Sequence, residues 1–187
     1  LKAELPIYYS TPEIRLEAES DEEKFRRGRI THVILQTLPE IESSKREKAL
    51  RAFLNLPTNK LNKRQQESIA NEIMAVLDKS EFAPIFGQGS RAEVPLIGKI
   101  RGQVISAQID RIYVTHNEVF IVDFKTDIQP PKSINSITEE YLRQMAAYRL
   151  MILEIYPTKK IRCAFLWTVG SILMELEPEH LVEFEPK

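Results

Sequence analysis

Asp110, Asp123 and Lys125 stand in a stretch whose residue pattern brings them close together. β-Branched and aromatic residues alternate with polar ones over 104–114 and 119–125, on either side of a polar break. This pattern predicts a β-hairpin with a short loop. In its symmetric register, Asp110 lies directly across from Asp123.

The same register places Ile112 across from Ile121 and Gln108 across from Lys125. Because side chains alternate along a strand, all of these residues share one face of the hairpin. Facing residues have Cβ atoms about 4.5–5.5 Å apart, where like charges destabilise the pair. A divalent cation would offset the repulsion of two carboxylates, and Lys125 could bring positive charge to the same place. The alternative is an ordinary amphipathic hairpin whose charged side chains are solvated.

The composition predicts one globular domain rather than a disordered or membrane-spanning chain. The 187 residues are 43% hydrophobic and contain 26 Lys+Arg against 27 Asp+Glu, a balance that argues against a protein that coats nucleic acid. A single cysteine, Cys163, excludes an internal disulfide and a multi-cysteine metal site. No apolar run reaches the roughly 20 residues of a membrane span, and no signal peptide is recognisable, so a cytoplasmic location is expected.

The first part of the chain predicts an irregular lead-in over 1–19 and a helical region over 20–79. The lead-in carries prolines and no clear period, and it begins with Leu, which is consistent with a piece of a longer protein. Three helices are predicted from sequences with the spacing of a capping box, which begin at Ser20, Ser44 and Asn62.

Gly28 and His32 lie one turn apart on the first predicted helix. A glycine inside a helix costs about 1 kcal/mol relative to alanine, so it often marks a close approach of another element. His32 could reach whatever approaches there, although a histidine that only packs or faces solvent is the alternative.

The region 91–176 predicts a mixed sheet interrupted by one helix. A strand over 91–97 carries Glu93, and Pro95 would confine it to an edge or a bulge. A turn over 98–102 leads into the hairpin. A further capping sequence, Ser136 to Glu139, predicts a helix over 136–155, and its length suits a parallel crossover to strands at 161–169 and 172–176.

Five short sequences occur in the order found in one nuclease family, and together they span most of the chain. On them, the chain resembles the RecB-family nuclease domain of the PD-(D/E)xK superfamily, and most of all the C-terminal nuclease domain of AddA-type helicase–nucleases. The sequences are Gly28-Arg29-Ile30-Thr31-His32, Arg91-Ala92-Glu93-Val94-Pro95, Gln108-Ile109-Asp110-Arg111-Ile112, Val122-Asp123-Phe124-Lys125-Thr126 and Gln144-Met145-Ala146-Ala147-Tyr148.

This resemblance implies a fold and a set of site residues. The fold would be a restriction-endonuclease-like α/β core, with a mixed central β-sheet flanked by helices and preceded by a helical N-terminal region. Mg²⁺ or Mn²⁺ would be held by His32, Asp110, Asp123 and the carbonyl of Phe124. Lys125 would be catalytic with the two aspartates, Glu93 would orient a water or a second ion, Gln144 and Tyr148 would support the site or touch the DNA backbone, and Gly28 would support it.

The implied activity is that of a metal-dependent deoxyribonuclease, with exonuclease action as the expectation, within an ATP-dependent helicase–nuclease that repairs double-strand breaks by recombination. Its partners would be single-stranded or unwound DNA, an upstream helicase region of the same protein and an AddB-type subunit, without a membrane. The cysteines of an iron–sulfur cluster and a phosphate-binding loop for nucleotide are missing from the sequence. The alternatives are a catalytically silent relative that binds DNA or docks a subunit, and a stand-alone nuclease with the same core.

Overall fold

The computed structural model describes residues 7–8 and 21–186. Most of the predicted lead-in, and the predicted cap at Ser20, lie outside these residues. The prediction of an irregular lead-in is wrong at Ile7–Tyr8, which form a short strand. Two residues are too few to show the alternation of a strand in the sequence, and this strand is defined by its pairing with residues 105–106.

Six strands of the described residues form one mixed sheet. β3 pairs with β1 and β4 at different points along one edge and with β2 along the other edge, and β5 and β6 follow β4. The β1–β3 and β4–β5 pairs are parallel, and the others are antiparallel. The strands are β1 (Ile7–Tyr8), β2 (Ser90–Ile100), β3 (Gln103–Val114), β4 (Glu118–Lys125), β5 (Lys160–Trp167) and β6 (Ile172–Leu176).

The predicted hairpin is present, and its register is the predicted one. Thr115 N–H donates to the Glu118 carbonyl at 2.9 Å across the two-residue loop. Ile112 pairs with Ile121, as expected. The ladder nevertheless ends at Arg111, one pair before the two aspartates.

Beyond that point β3 and β4 separate, so the direct pairings of Asp110 with Asp123 and of Gln108 with Lys125 are wrong. β1 takes the same edge of β3 further along, at Ile105 and Ser106. Two facing carboxylates oppose continuation of the ladder. The Asp110 carboxylate also accepts a hydrogen bond from the backbone N–H of Phe124 at 2.6 Å, so this N–H is satisfied by a side chain.

β2 pairs only with β3 among the described strands, so Pro95 does lie on an edge strand. The predicted turn over 98–102 is too long, because β2 continues to Ile100. Arg101 and Gly102 alone make the turn, with φ of 48° and 91°. Two successive positive φ values suit the twist of a tight hairpin, and they explain why the turn needs only two residues.

Helices cover both faces of the sheet. The N-terminal helices lie on one face and α5 lies on the other, because β4 alternates between the two cores: Phe120, Val122 and Phe124 face the first, and Val119 and Ile121 face the second. The helices are α1 (Asp21–Thr37), α2 (Ser43–Leu54), α3 (Lys63–Asp78), α4 (Ala83–Phe86), α5 (Glu139–Ile155) and α6 (Glu179–Val182). The α/β class with a mixed sheet and a helical N-terminal region is therefore confirmed, and so is the parallel crossover through α5.

Of the predicted capping boxes, the one at Asn62 forms, with Gln65 as its partner. The one at Ser44 is wrong, because α2 begins a residue earlier and the Ser44 hydroxyl donates to Glu42. The one at Ser136 is also wrong, because Ile137 is extended and α5 begins only at Glu139. In the part of the chain described, no helix combines the length and apolarity needed to cross a membrane.

Candidate active site

α1 lies against the end of β4, where β4 has left β3. A Cβ added at Gly28 would lie 3.3 Å from Thr126 Oγ1, so the glycine does mark a close approach. The buried side chain of Arg27 donates to the Thr126 carbonyl at 2.6 Å and also pairs with Glu72. These contacts fix α1 so that His32, one turn after Gly28, faces the gap between the strands.

His32, Glu93 and Asp110 form one cluster, which we call the open group because His32 and Glu93 are partly exposed. One ligand atom from each residue lies within 4.8 Å of the others. His32 Nδ1 lies 3.2 Å from Asp110 Oδ1. Glu93 has a φ of 51° inside β2, a conformation that is uncommon for residues other than glycine and that redirects its side chain. The amide of Gln108 donates to the Glu93 carboxylate.

The charges of the open group shift its titration. Burial lowers the pKa of His32, but the neighbouring carboxylates of Asp110, Asp123 and Glu93 outweigh it and raise the pKa to about 9. Burial raises the pKa of Glu93, and the charge of Asp110 adds to the effect. The protonated imidazole therefore balances part of the negative charge of this group.

Asp110 fills the gap between β3 and β4 with its carboxylate. One oxygen contacts His32, and the other accepts the Phe124 N–H. The Phe124 ring meets the imidazole edge-on, with centroids 6.0 Å apart and planes at 69°. Asp110 thus links the open group to the β4 segment that carries Asp123 and Lys125.

A second cluster, which we call the closed group, consists of Asp123, Lys125, Gln144 and Tyr148. Asp123 is 2% exposed and Lys125 is completely buried. Lys125 Nζ lies 2.7 Å from Asp123 Oδ2, yet this contact lacks hydrogen-bond geometry, and the oxygen has no hydrogen-bond partner. Burial raises the pKa of Asp123 to about 6, against the opposing charge of Lys125.

A chain of hydrogen bonds holds the lysine. Its ammonium donates to Gln144 Oε1 at 2.9 Å, and the amide of Gln144 donates to the Tyr148 hydroxyl at 2.8 Å. That hydroxyl donates in turn to the backbone carbonyl of Gln108, also at 2.8 Å. The i, i+4 spacing of Gln144 and Tyr148 on α5 lets both side chains reach along one line.

The family model of the PD-(D/E)XK nuclease superfamily matches residues 7–185. The chain belongs to this superfamily. Asp123-Phe124-Lys125 matches the (D/E)XK part of the superfamily's name, with Asp110 as the preceding aspartate, and the sheet with its helices is the restriction-endonuclease-like fold. A search of curated proteins finds no match.

A search of solved structures finds, among others, two proteins of low similarity to this chain. The crystal structure of SSO0001 shares 14% identity at a TM-score of 0.36, over 88% of this chain and 84% of that one. Protein VC1899 from Vibrio cholerae shares 12% identity at a TM-score of 0.30, over 81% of this chain and 48% of that one.

The structure places the predicted site residues in two adjoining groups rather than one. Asp123 does not join the three ligand atoms of the open group, and Phe124 lies between the groups with its N–H bound to Asp110. Gln108, expected beside Lys125, is exposed and contacts Glu93 instead.

Three residues near the site were missed from sequence. Arg27 gave no signal beyond its place before Gly28. Asp127 follows Lys125 by two residues, and Tyr141 precedes Gln144 by one helical turn, so both spacings could have drawn attention. Tyr141 donates its hydroxyl to Asp127 at 3.0 Å.

The donors present fit a divalent cation. Carboxylate oxygens are the preferred ligands of Mg²⁺, and an imidazole among them suits Mn²⁺. Asp123 adds a buried oxygen that lacks a hydrogen bond, which is the kind of group that an ion would satisfy.

Proposed function

We propose that this chain is a metal-dependent nuclease that hydrolyses phosphodiester bonds of DNA. The observation that carries the proposal is the juxtaposition of the open group with a completely buried lysine, at the Asp-x-Lys sequence of the PD-(D/E)XK superfamily. A solvated surface hairpin would not bury an ammonium and a carboxylate together.

In the proposed mechanism, His32, Asp110, Asp123 and the Phe124 carbonyl would hold the ion, and Glu93 would orient a water or a second ion. A bound Mg²⁺ or Mn²⁺ supplies a Lewis acid that lowers the pKa of a water and polarises the phosphoryl oxygen. His32 must give up its proton to act as a ligand, because only the neutral imidazole has a free nitrogen lone pair.

Lys125 acts on the phosphate or on the attacking water. Its ammonium is held in place before the reaction by Gln144 and Tyr148, so it can stabilise negative charge that builds up in the transition state without reorganising. Both of these side chains are buried, which favours a supporting role for them over contact with the DNA backbone.

We further propose that the nuclease acts as an exonuclease in an ATP-dependent helicase–nuclease, with single-stranded or unwound DNA as its substrate and an AddB-type subunit as its partner. The support for this is the sequence resemblance to AddA-type domains. A stand-alone nuclease is equally compatible with the superfamily match. Stable copurification with an AddB-type subunit, compared with full activity of the chain alone, distinguishes the two.

The direct test is degradation of single-stranded DNA in Mg²⁺ or Mn²⁺ by the parent and by Asp110→Asn. Asparagine keeps an acceptor for the Phe124 N–H but removes the charge, so we expect activity to fall about 10³-fold with the fold preserved. Asp78→Asn, an exposed acid at the end of α3, is the control and should keep the parent rate. A parent protein that binds DNA but cleaves nothing would support a catalytically silent relative.

A further inference from the structure

The ring of Tyr141 covers the ammonium of Lys125, and the Asp-x-Lys pattern of the superfamily gives this tyrosine no role. Lys125 Nζ lies 3.7 Å from the centroid of the Tyr141 ring. Tyr141 is 1% exposed, and it stands on the first turn of α5. A cation this close to an aromatic face is attracted by the negative charge of the π-system, most strongly where water is excluded.

The ring covers one side of an ammonium that also contacts Gln144 and the Asp123 carboxylate. A lysine ammonium has three N–H donors. Gln144 accepts one at 2.9 Å, and the Asp123 carboxylate lies 2.7 Å away. Because Lys125 is completely buried, the protein must replace the hydration that the charge has lost. The face of Tyr141 supplies part of that replacement and is nearer than the other aromatic ring, Phe165, whose centroid lies 5.2 Å from Nζ.

Asp127 fixes the ring in this position. The Tyr141 hydroxyl donates to the two Asp127 oxygens at distances of 3.0 and 3.3 Å. A hydrogen bond to a carboxylate fixes the plane of the phenol and polarises it, which makes its face more negative. Asp127 follows β4 by two residues and Tyr141 lies in the first turn of α5. Their hydrogen bond therefore links the end of β4 to the start of α5 beside Lys125.

We propose that Tyr141, oriented by Asp127, is a positioning residue that holds the Lys125 ammonium against its ring face for catalysis. Asp123 would hold the lysine less firmly in the active protein, because a carboxylate that also binds a metal ion attracts the ammonium less. Tyr141 and Gln144 are neutral, so their hold on Lys125 does not depend on the ion. The catalytic part of this proposal rests on the nuclease function proposed above, whereas the contact itself does not.

The contact is tested in metal-free protein by NMR of the lysine ammonium groups. A proton above a ring face shifts upfield, so the Lys125 signal, assigned by its absence in Lys125→Arg, should be displaced upfield. Tyr141→Phe keeps the ring but loses the hydrogen bond to Asp127, so it should keep most of the displacement. Tyr141→Leu should leave only the smaller displacement from the Phe165 ring, whose centroid lies 5.2 Å from Lys125 Nζ. Leu142→Ala, the neighbouring core residue of α5, controls for lost packing and should leave the displacement in place. An unchanged Lys125 signal in Tyr141→Leu overturns the proposal.

Catalysis is tested with phenylalanine carrying zero, one, two or three fluorines at position 141. Fluorine hardly changes the shape of the ring but weakens its negative face, so kcat should fall stepwise, by about tenfold across the series. Metal affinity should stay constant. A flat kcat across the series overturns the catalytic role. A parent that does not cleave DNA refutes the nuclease function instead, and the NMR result still decides whether Tyr141 holds Lys125.

Discussion

The open and closed groups meet at Asp110 and Phe124, but they handle charge in different ways. In the open group, His32 and Glu93 reach solvent, and a protonated imidazole balances the carboxylates. In the closed group, Asp123 and Lys125 are buried and depend on protein groups for compensation. The open group can therefore exchange a proton for a cation, whereas Lys125 in the closed group keeps a fixed position.

This difference separates ion binding from the placement of the catalytic ammonium, which have opposite requirements. Binding an ion needs ligands that can change protonation and admit a solvated cation. Placing an ammonium for catalysis needs a rigid, dry surrounding in which its position is set before the substrate arrives. The hydrogen-bonded line from Lys125 through Gln144 to Tyr148 provides that rigidity.

The kinetics of Lys125→Ala and His32→Ala test most directly whether the two groups have separate roles in catalysis and metal binding. Removing the lysine should lower single-turnover kcat about 10³-fold, with little change in metal or DNA affinity, because its interaction is made mainly in the transition state. Removing the histidine should weaken Mn²⁺ binding by at least about tenfold and leave more of the rate at saturating metal. Calorimetry with Mn²⁺ and single-turnover cleavage measure the two effects.

Lys125→Arg is the control for charge alone. It should not restore the rate, because a planar guanidinium does not fit a site shaped around a compact ammonium. Near-normal cleavage by Lys125→Ala, or unchanged Mn²⁺ affinity of His32→Ala, would show that the two groups do not divide the work in this way.

The next largest effect concerns the stability of the closed pair without metal. Asp123→Asn or Lys125→Met should each lower the free energy of unfolding by about 3 kcal/mol, because each leaves a buried group without its partner. The double variant should recover most of this loss. Urea denaturation in EDTA at pH 8 measures it.

The matched control pair lies on the surface, at Glu42 and Lys45, which are 2.6 Å apart. Removing either should cost little, as for most exposed pairs. Additive losses in the closed double variant would contradict the pairing of Asp123 with Lys125.

A smaller effect is the pH dependence of the metal-free protein. The pKa of His32 is raised to about 9 by the surrounding carboxylates, in spite of burial. The folded state therefore favours the protonated form, and the resulting stability is fully present below about pH 6.5 and is lost as pH rises through about 9. Thermal unfolding in EDTA should show this decline.

His32→Ala should flatten the decline between pH 6.5 and 9, whereas His116→Ala, in the exposed hairpin loop, should not. With Mn²⁺ present the trend should reverse, since the cation competes with the proton for the same ring. A parent protein with a flat profile in EDTA would mean that the carboxylates do not hold the proton on His32.

Patterns among neighbouring residues were sufficient to predict the central hairpin of the fold. The alternation of β3 and β4 defined the hairpin, its loop and its register, and the Ile112–Ile121 pair confirms it. These features depend on residues a few positions apart, which a sequence displays directly.

Features that depend on distant residues could not be read in the same manner. Alternation placed Gln108 beside Lys125, but the strands part at Asp110, and the partner is Gln144 from α5, 19 residues further along the chain. The positive φ of Glu93 has no signature in its residue type. A serine followed three residues later by a glutamate, as at Ser44 and Ser136, is common near the start of helices. It therefore does not locate the first residue of a helix accurately.

The smallest predicted effect concerns Gly28, whose contact with Thr126 joins the helix of the open group to the strand of the closed group. Gly28→Ala should gain about 1 kcal/mol from helix propensity. Its Cβ would, however, lie 3.3 Å from Thr126 Oγ1, so the threonine must move, and the net change should be close to zero. In a Thr126→Ala background that contact is absent, and the same substitution should stabilise the protein by the full amount of about 1 kcal/mol. Urea denaturation of the four proteins in EDTA gives the difference. If Gly28→Ala changes the stability equally in both backgrounds, α1 does not press on β4, and another contact must direct His32 toward Asp110.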